Sequence, residues 1–333
     1  MRFRSGMAID LGTVNTLVHV AGRGLIIDEP SAIGIDRVTG GVAVVGRAAD
    51  ALTGKETKDI EVLHPLRDGV IADLDATVAM LQTFLRRARV RRGLARTCAV
   101  ICLPGEATWV ERRSVAAAAE ALKPRCLVRL VEEPVAAAAG AGFDLAAGSG
   151  AFILDIGGGT TEAAVLAGGH VVRARSLRMG GNAMDEAITR AVKSEHGLLI
   201  GREAARGLKM TLGLGDSAIA DMEIVGVDAV LRTPRVARVS AGLVATAVEP
   251  MVKAIIASVQ ELLADLPPNL AEDVFRGKIR LAGGGAMLPG LAYRIETVAD
   301  IPALVVDDPL RCVIRGAAQI LEHGDYLARA TAA

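Results

Sequence analysis

The sequence predicts a duplicated α/β fold of two similar halves, each opening with a hairpin whose turn is small and polar. The first observation behind this is a repeated motif. An apolar run at Met7–Ile9, the turn Asp10-Leu11-Gly12-Thr13-Val14-Asn15-Thr16 and a second apolar run at Leu17–Val20 recur as Ala151–Leu154, Asp155-Ile156-Gly157-Gly158-Gly159-Thr160-Thr161 and Ala163–Leu166. Each copy reads as strand, polar turn, strand, and the spacing between copies is too long for a solenoid unit. Second, strand and helix patterns alternate between the copies. Third, 333 residues exceed what one hydrophobic core usually holds. With 51% hydrophobic but only 2% aromatic residues, the cores must be built from Ala, Val, Leu and Ile.

In chain order, Thr77–Ala88 has helical periodicity, Ala99–Leu103 is a buried strand, and Glu111–Leu122 is an Ala-rich helix that Pro124 closes. Cys126–Val131 is a further strand, leading through Glu132-Glu133-Pro134 into the small-residue helix Val135–Ala141. Ala183–Ser194 places Met184, Ile188 and Ala191 on one helical face, and a shorter helix covers Glu203–Leu212. Asp221–Val227 and Val236–Val239 read as strands of a small subdomain. Val244–Leu263 is a long apolar-faced helix that Pro250 should kink or break. Ile279–Leu281 runs into Ala282-Gly283-Gly284-Gly285-Ala286-Met287-Leu288-Pro289-Gly290, a third glycine-rich turn, and then a helix; beyond about Ala328 a frayed end is expected. The expected halves are residues 1–145, with a closing helix from Pro134, and 146–333, with a glycine loop at 282–290.

Composition excludes several classes. Lys plus Arg and Asp plus Glu are both 38, so no overall field favours a polyanion. Nucleic-acid binding is not expected, because the one basic stretch lacks interleaved aromatics. Cys98, Cys102, Cys126 and Cys312 have neither paired spacing nor a neighbouring His cluster, which argues against zinc or a disulfide framework and for a reducing compartment. Met1–Gly6 is basic without an apolar segment, and nowhere do about 18 consecutive apolar residues occur, so a cytoplasmic chain is predicted.

Backbone N–H groups cradle phosphate oxygens only where side chains do not hold them away, which is why glycines at strand-to-turn junctions make anion nests. Gly12 and Gly157 to Gly159 meet that need, and Thr13, Asn15, Thr16, Thr160 and Thr161 add short donors. Asp10 and Asp155 stand at equivalent places before the two turns. Two carboxylates there would repel a bare triphosphate unless a magnesium ion and its waters lay between. The competing phosphate motifs are missing: there is no GxxxxGK[ST], and no GxGxxG follows a strand.

With these residues the chain resembles the actin, Hsp70 and sugar-kinase superfamily, and within it the MreB/Mbl family. The resemblance is carried by the first turn, Arg67-Asp68-Gly69-Val70-Ile71-Ala72-Asp73, Glu132-Glu133-Pro134, Asp155 to Glu162, Met184-Asp185-Glu186-Ala187-Ile188 and Gly283 to Gly290, colinear from about Met7 to Ile320. It implies an actin-like (ribonuclease H-like) two-lobed ATPase fold, each lobe a mixed sheet flanked by helices with a smaller subdomain (an outer one near 31–75 in the first, a small one near 182–255 in the second), with ATP and Mg²⁺ between the lobes. Gly12, Thr13, Val14 and Asn15 would form one phosphate loop and Gly157, Gly158, Gly159 and Thr160 the other. Lys209 and the loop Gly283, Gly284, Gly285, Ala286 and Met287 would contact the nucleoside. Asp10 and Asp155 would hold Mg²⁺ through water. Glu133, with Asp155, would be catalytic, orienting the attacking water; a plain helix N-terminal acid beside Pro134 is the alternative role for Glu133. Arg206 stands where the family carries an acidic residue, and Asn182 and Ala183 also depart from its pattern.

The resemblance further implies homopolymeric filaments at the inner face of the cytoplasmic membrane, with cell-wall synthesis membrane proteins as partners. Arg86, Arg87, Arg89, Arg91, Arg92 and Arg96 surround Val90 and Leu94 in a segment without acidic residues. Arg91, Arg92 and Leu94 are the expected contact with anionic lipid, worth about 1 kcal/mol per basic residue near the surface. A solvated helix end rich in Arg is the competing reading. A small-molecule kinase or a non-hydrolysing paralogue would share the phosphate turns, whereas a chaperone of this superfamily would need a substantial further domain after the third glycine turn.

Overall fold

The computed structural model describes residues 6–55, 58–90, 97–122, 126–215, 219–264 and 266–323. The expected frayed end beyond Ala328, and Arg91, Arg92, Leu94 and Arg96 of the basic stretch, lie outside the described residues.

Two five-stranded sheets share one topology. In the first, Gly6–Leu11, Asn15–Val20 and Gly24–Pro30 form an antiparallel meander; Gly6–Leu11 pairs on its other side, in parallel, with Thr97–Leu103, which pairs in parallel with Cys126–Glu132. In the second, Gly150–Ile156, Thr161–Ala167 and His170–Leu177 repeat the meander, and Gly150–Ile156 pairs in parallel with Ile279–Ala282, followed by Ala303–Val305. The repeated motif is the first hairpin of each sheet. The third meander strands escape sequence reading because, at the sheet edges, they lack a buried apolar run: His170–Leu177 has no buried residue, and of Leu25-Ile26-Ile27 in Gly24–Pro30 only Ile27 is buried. Central strands do carry one, since both of their faces are covered; every residue of Gly150–Ile156 is buried.

Three apolar cores follow from the two-residue alternation of the strands. Met7, Ile9 and Leu11 join Met80, Leu81 and Phe84 of helix Leu74–Arg87 and Val115 and Ala119 of helix Trp109–Leu122. Ala8, pointing the other way, joins a middle core that also takes Ile153 and Ala164 of the second sheet. Phe152, Leu154 and Ile156 face the third core, with helices Gly181–His196, Arg202–Leu212 and Ala241–Leu263. Ala241–Leu263 continues through Pro250 without the expected break. By length and composition this helix could cross a bilayer, but Val244, Val248, Val252, Ile255 and Val259 pack it into the core.

Two helices occupy the middle core. Glu133–Gly140 is buried from Pro134 onward and lies against the second sheet. Cys312–Glu322, the last described helix, returns to the first sheet, where Leu321 meets Gly6. They cross with almost no space between backbones: a Cβ added at Gly140 would lie 1.9 Å from the Cys312 carbonyl oxygen, and one at Gly316 would lie 1.8 Å from that of Ala136. The Arg315 guanidinium donates to the Gly140 carbonyl, with Nε 3.0 Å and Nη2 2.6 Å away.

Smaller sheets extend both halves. Ile33–Asp36 lies between Val42–Val45 and Ile60–Leu63, and Asp221–Asp228 lies between Leu198–Leu199 and Pro234–Ser240. Arg202 reaches from one side to Asp50 on the other at 3.3 Å.

Candidate nucleotide cleft

In open α/β sheets, ligands sit beyond the carboxyl ends of the parallel strands. Here Gly6–Leu11 and Gly150–Ile156 end in the two polar turns, Ile279–Ala282 ends in the third glycine turn, and Cys126–Glu132 ends at Glu133. All four converge on one cleft of about 340 Å³, within the range of small-molecule sites. Its lining includes Asp10, Gly12, Thr13, Val14, Asn15, Glu133, Asp155, Gly157, Gly158, Gly159, Thr160, Lys209, Gly283, Gly284, Gly285 and Met287. Ala286 does not line it; the side chain is buried in the third core.

The two polar turns meet directly. A Cβ added at Gly158 would fall 2.1 Å from Val14 Cγ2, so glycine is needed for that approach. Gly69 donates its N–H to Thr13 Oγ1 at 2.8 Å, and Gly157 donates to the Thr160 carbonyl at 2.8 Å, which closes the second turn. Gly283 has φ +77°, and an added Cβ would lie 2.4 Å from Asp155 Oδ1, so the third turn rests against that carboxylate.

Three carboxyl groups, Asp10, Glu133 and Asp155, line the floor, and a fourth, Glu162, lies close enough to act on Glu133. Burial and then Asp155 push Asp10 up to about 7; burial pushes Asp155 up to about 6. Glu133 is held well above the usual carboxylate range by burial, Glu162, Asp10 and Asp155. Glu162, which sequence reading did not single out, is the cross-strand partner of Asp155 and is pushed up to about 8, again by burial first. It accepts from the Gly105 N–H at 3.0 Å and from Ser176 Oγ at 3.2 Å. The Cys102 thiol, buried and free, is raised by burial and by Asp10, Glu133 and Asp155.

A cation would relieve this crowding. The described residues hold no cluster of three metal-ligating side chains. Two carboxylates alone suit an ion that completes its shell with water and phosphate oxygens, the habit of Mg²⁺. Asp10 and Asp155 therefore fit such an ion.

The raised proton affinities make the nucleotide-free protein less stable toward alkali. A carboxyl that binds its proton more tightly when folded opposes folding once the pH exceeds its unfolded value near 4, and this cost is complete above its folded value. For Asp10, Asp155 and Glu162 the window runs from roughly pH 4 to 8. Asp10→Asn is expected to stabilise the nucleotide-free and magnesium-free protein by roughly 1–3 kcal/mol at pH 8, and by less at pH 5. Urea unfolding at both values checks this; a loss of stability at pH 8 would contradict it.

On the other wall, Asp185 of helix Gly181–His196 and Lys209 of helix Arg202–Leu212 are both buried, with Lys209 Nζ 2.6 Å from Asp185 Oδ1. Lys209 also donates to the Gly181 carbonyl at 2.8 Å, and burial lowers its pKa despite Asp185. Arg206 and Asn182 line the cleft as well, as do Gly69, Gly181, Met210, Leu310 and Val313. Asp185 was legible only as part of a motif: its pairing with Lys209 needs two helices brought together.

The whole chain, and not only the cleft, matches known proteins. The MreB/Mbl protein profile covers residues 4–329. The chain belongs to the MreB/Mbl family. The cell shape-determining protein Mbl of Bacillus cereus is 36% identical over 327 residues, covering 98% of each chain, and the cell shape-determining protein MreB of Escherichia coli K12 is 37% identical over 331 residues, covering 97% of this chain and 95% of that one. MreB5 of Spiroplasma citri, solved bound to AMPPNP, superposes with a TM-score of 0.87 at 32% identity, covering 95% of this chain and 96% of that one. MamK, solved as a double helical filament, shares the fold at TM-score 0.81 and 24% identity, over 96% and 99% of the two chains. These likenesses establish an actin-like fold and a cell shape-determining family of actin-like ATPases.

Proposed function

We propose that this MreB/Mbl protein binds and hydrolyses ATP in the cleft and assembles into membrane-associated filaments that organise cell-wall synthesis and cell shape. The carrying observation is the convergence of two matched glycine turns with Asp10, Asp155 and Glu133 at the strand ends of one cleft. The AMPPNP and ADP bound to S. citri MreB5 support the choice of nucleotide. In this reading the amides of Gly12 to Asn15 and Gly157 to Thr160 bind the phosphates. Lys209 and Gly283 to Gly285 flank the nucleoside. Asp10 and Asp155 hold Mg²⁺ through water, and the bound ion supplies neutralisation of phosphoryl charge. Glu133 orients the attacking water and accepts its proton, a task its raised proton affinity suits.

Family membership supports self-association, which requires heterologous contacts that do not close into a ring. Arg86, Arg87 and Arg89 are exposed where helix Leu74–Arg87 ends, and exposed Arg23 adds a further positive charge by donating to the Ala88 carbonyl at 2.9 Å. This basic patch, with Arg91, Arg92 and Leu94 next in the sequence, is the proposed contact with anionic lipid.

Sedimentation of the purified protein with ATP, ADP or no nucleotide, with and without anionic liposomes, tests the whole reading while phosphate release is recorded. ATP-dependent pelleting, co-flotation with liposomes that is lost when these arginines become serine, and phosphate release are expected. Filaments without phosphate release would replace the ATPase by a non-hydrolysing paralogue. A monomer in every condition that phosphorylates a sugar would replace it by a kinase.

A further inference from the structure

We propose that a second cavity, separate from the nucleotide cleft, binds a small organic anion through Arg280 and Arg315: an oxyanion, phosphate ester or carboxylate, carried on a compact apolar body. The cavity measures about 490 Å³, the size of a small-molecule site. One wall is the end of helix Glu133–Gly140 with the residues that follow it. The other is formed by strands Ile279–Ala282 and Ala303–Val305, and Arg315 of helix Cys312–Glu322 stands between them. No residue lines both this cavity and the nucleotide cleft. The segment 306–315 divides them: Pro309, Leu310 and Val313 line the cleft, whereas Val306, Asp307 and Arg315 line the second cavity.

Two guanidinium groups border this space without a carboxylate against them. Arg315 donates from Nε and Nη2 to the Gly140 carbonyl and from Nη2 to that of Asp307 at 2.9 Å. Arg280 donates from Nε to the Gly277 carbonyl at 3.2 Å and lies over the Phe143 ring, 5.8 Å from its centre. These contacts hold both side chains in place but leave their charge. Among the described residues neither arginine forms an ion pair, and Arg315 Nη1 and both terminal nitrogens of Arg280 have no hydrogen-bond partner. Asp307 is the one carboxylate in the lining, so two cations stand against a single anion. Arg315 faces the carbonyl end of a helix, worth about half a negative charge, and capping that end accounts for it. Capping does not account for Arg280 in the same cavity. Guanidinium forks with unused N–H donors match the paired oxygens of a carboxylate or phosphate. The apolar body follows from the rim. Arg280 and Leu304 are register partners on adjacent strands, and Leu304 and Val305 are 38% and 42% exposed where Ala303–Val305 forms the sheet edge.

Isothermal titration of the full chain with phenyl phosphate, benzoate and benzyl alcohol tests this, since the three share a ring and differ in charge. AMPPNP and Mg²⁺ are present throughout, to occupy the nucleotide cleft. Saturable binding of at least one anion with a Kd of about 1 mM or below is expected, with benzyl alcohol about tenfold weaker or more. Which anion binds more tightly tells a phosphorylated ligand from a carboxylated one. Arg280→Gln is expected to weaken anion binding about tenfold or more. Arg315→Lys keeps a charge beside the Gly140 carbonyl but loses the fork, and a loss of about fivefold is expected. In the native protein the bound anion is also expected to shield Arg280 from phenylglyoxal, read by peptide mass spectrometry, which locates the site even if neither variant folds. No saturable anion binding up to about 10 mM would overturn the proposal. So would benzyl alcohol binding as tightly as the anions, unchanged affinity in a folded Arg280→Gln, or unaltered labelling of Arg280. Arg280 lies outside the nucleotide cleft, so these outcomes leave the nucleotide reading to stand or fall separately.

Discussion

Glu133→Gln protein is expected to release phosphate from ATP at least about 100-fold more slowly than the native chain, while still binding ATP and still forming filaments. Gln fills the same space but cannot take a proton from water. The affected group is well placed for the role: it is the first residue of helix Glu133–Gly140, it lines the cleft, and Asp10, Asp155 and Glu162 press its proton affinity upward. Removing one of four crowded carboxyls also lowers the repulsion a triphosphate meets, so ATP affinity is expected to hold or to rise. Folding is expected to be unharmed, because the helix-terminal charge it loses is worth only about 0.3–1 kcal/mol. Phosphate release within about threefold of native under polymerising conditions would show that Glu133 is only a helix-terminal acid.

Gly316→Ala is expected to destabilise the protein by about 3 kcal/mol or to prevent soluble expression. The new methyl would sit 1.8 Å from the Ala136 carbonyl oxygen, which is backbone of a buried helix and cannot turn away. The two helices must separate, and the middle core that joins both sheets must open with them. A melting temperature roughly 4 °C below native is expected in a fluorescence or calorimetric scan. Gly148→Ala supplies the control, since an added Cβ there meets nothing within 4 Å. Equal melting temperatures for the two variants would mean that the helix crossing is looser than drawn.

Much of the cleft was legible in the sequence because its parts are local. A glycine turn after an apolar strand needs about seven consecutive residues, and the repetition of Asp10-Leu11-Gly12 as Asp155-Ile156-Gly157 announces two matching turns. The continuous apolar run Ala151–Leu154 shows a strand covered on both faces. The third meander strands were not legible, because His170–Leu177 is solvated and carries no periodic apolar signal. Ala286 was read with its glycine neighbours as a cleft residue, yet its side chain turns into the core, since a 3₁₀ turn alternates direction faster than a motif reveals.

By itself, the sequence determined the duplicated α/β architecture, the paired glycine turns and the membership of the MreB/Mbl family, because strand periodicity and glycine placement are properties of neighbouring residues. Only the tertiary structure decided which distant groups share a space. It set Glu162 beside Asp155 through strand register, put Asp185 on Lys209 through two packed helices, and returned Cys312–Glu322 to the first sheet through the Gly140 and Gly316 crossing. Burial and mutual repulsion, which fix the proton affinities of the cleft carboxyls, depend on distances across the fold that no spacing along the chain encodes.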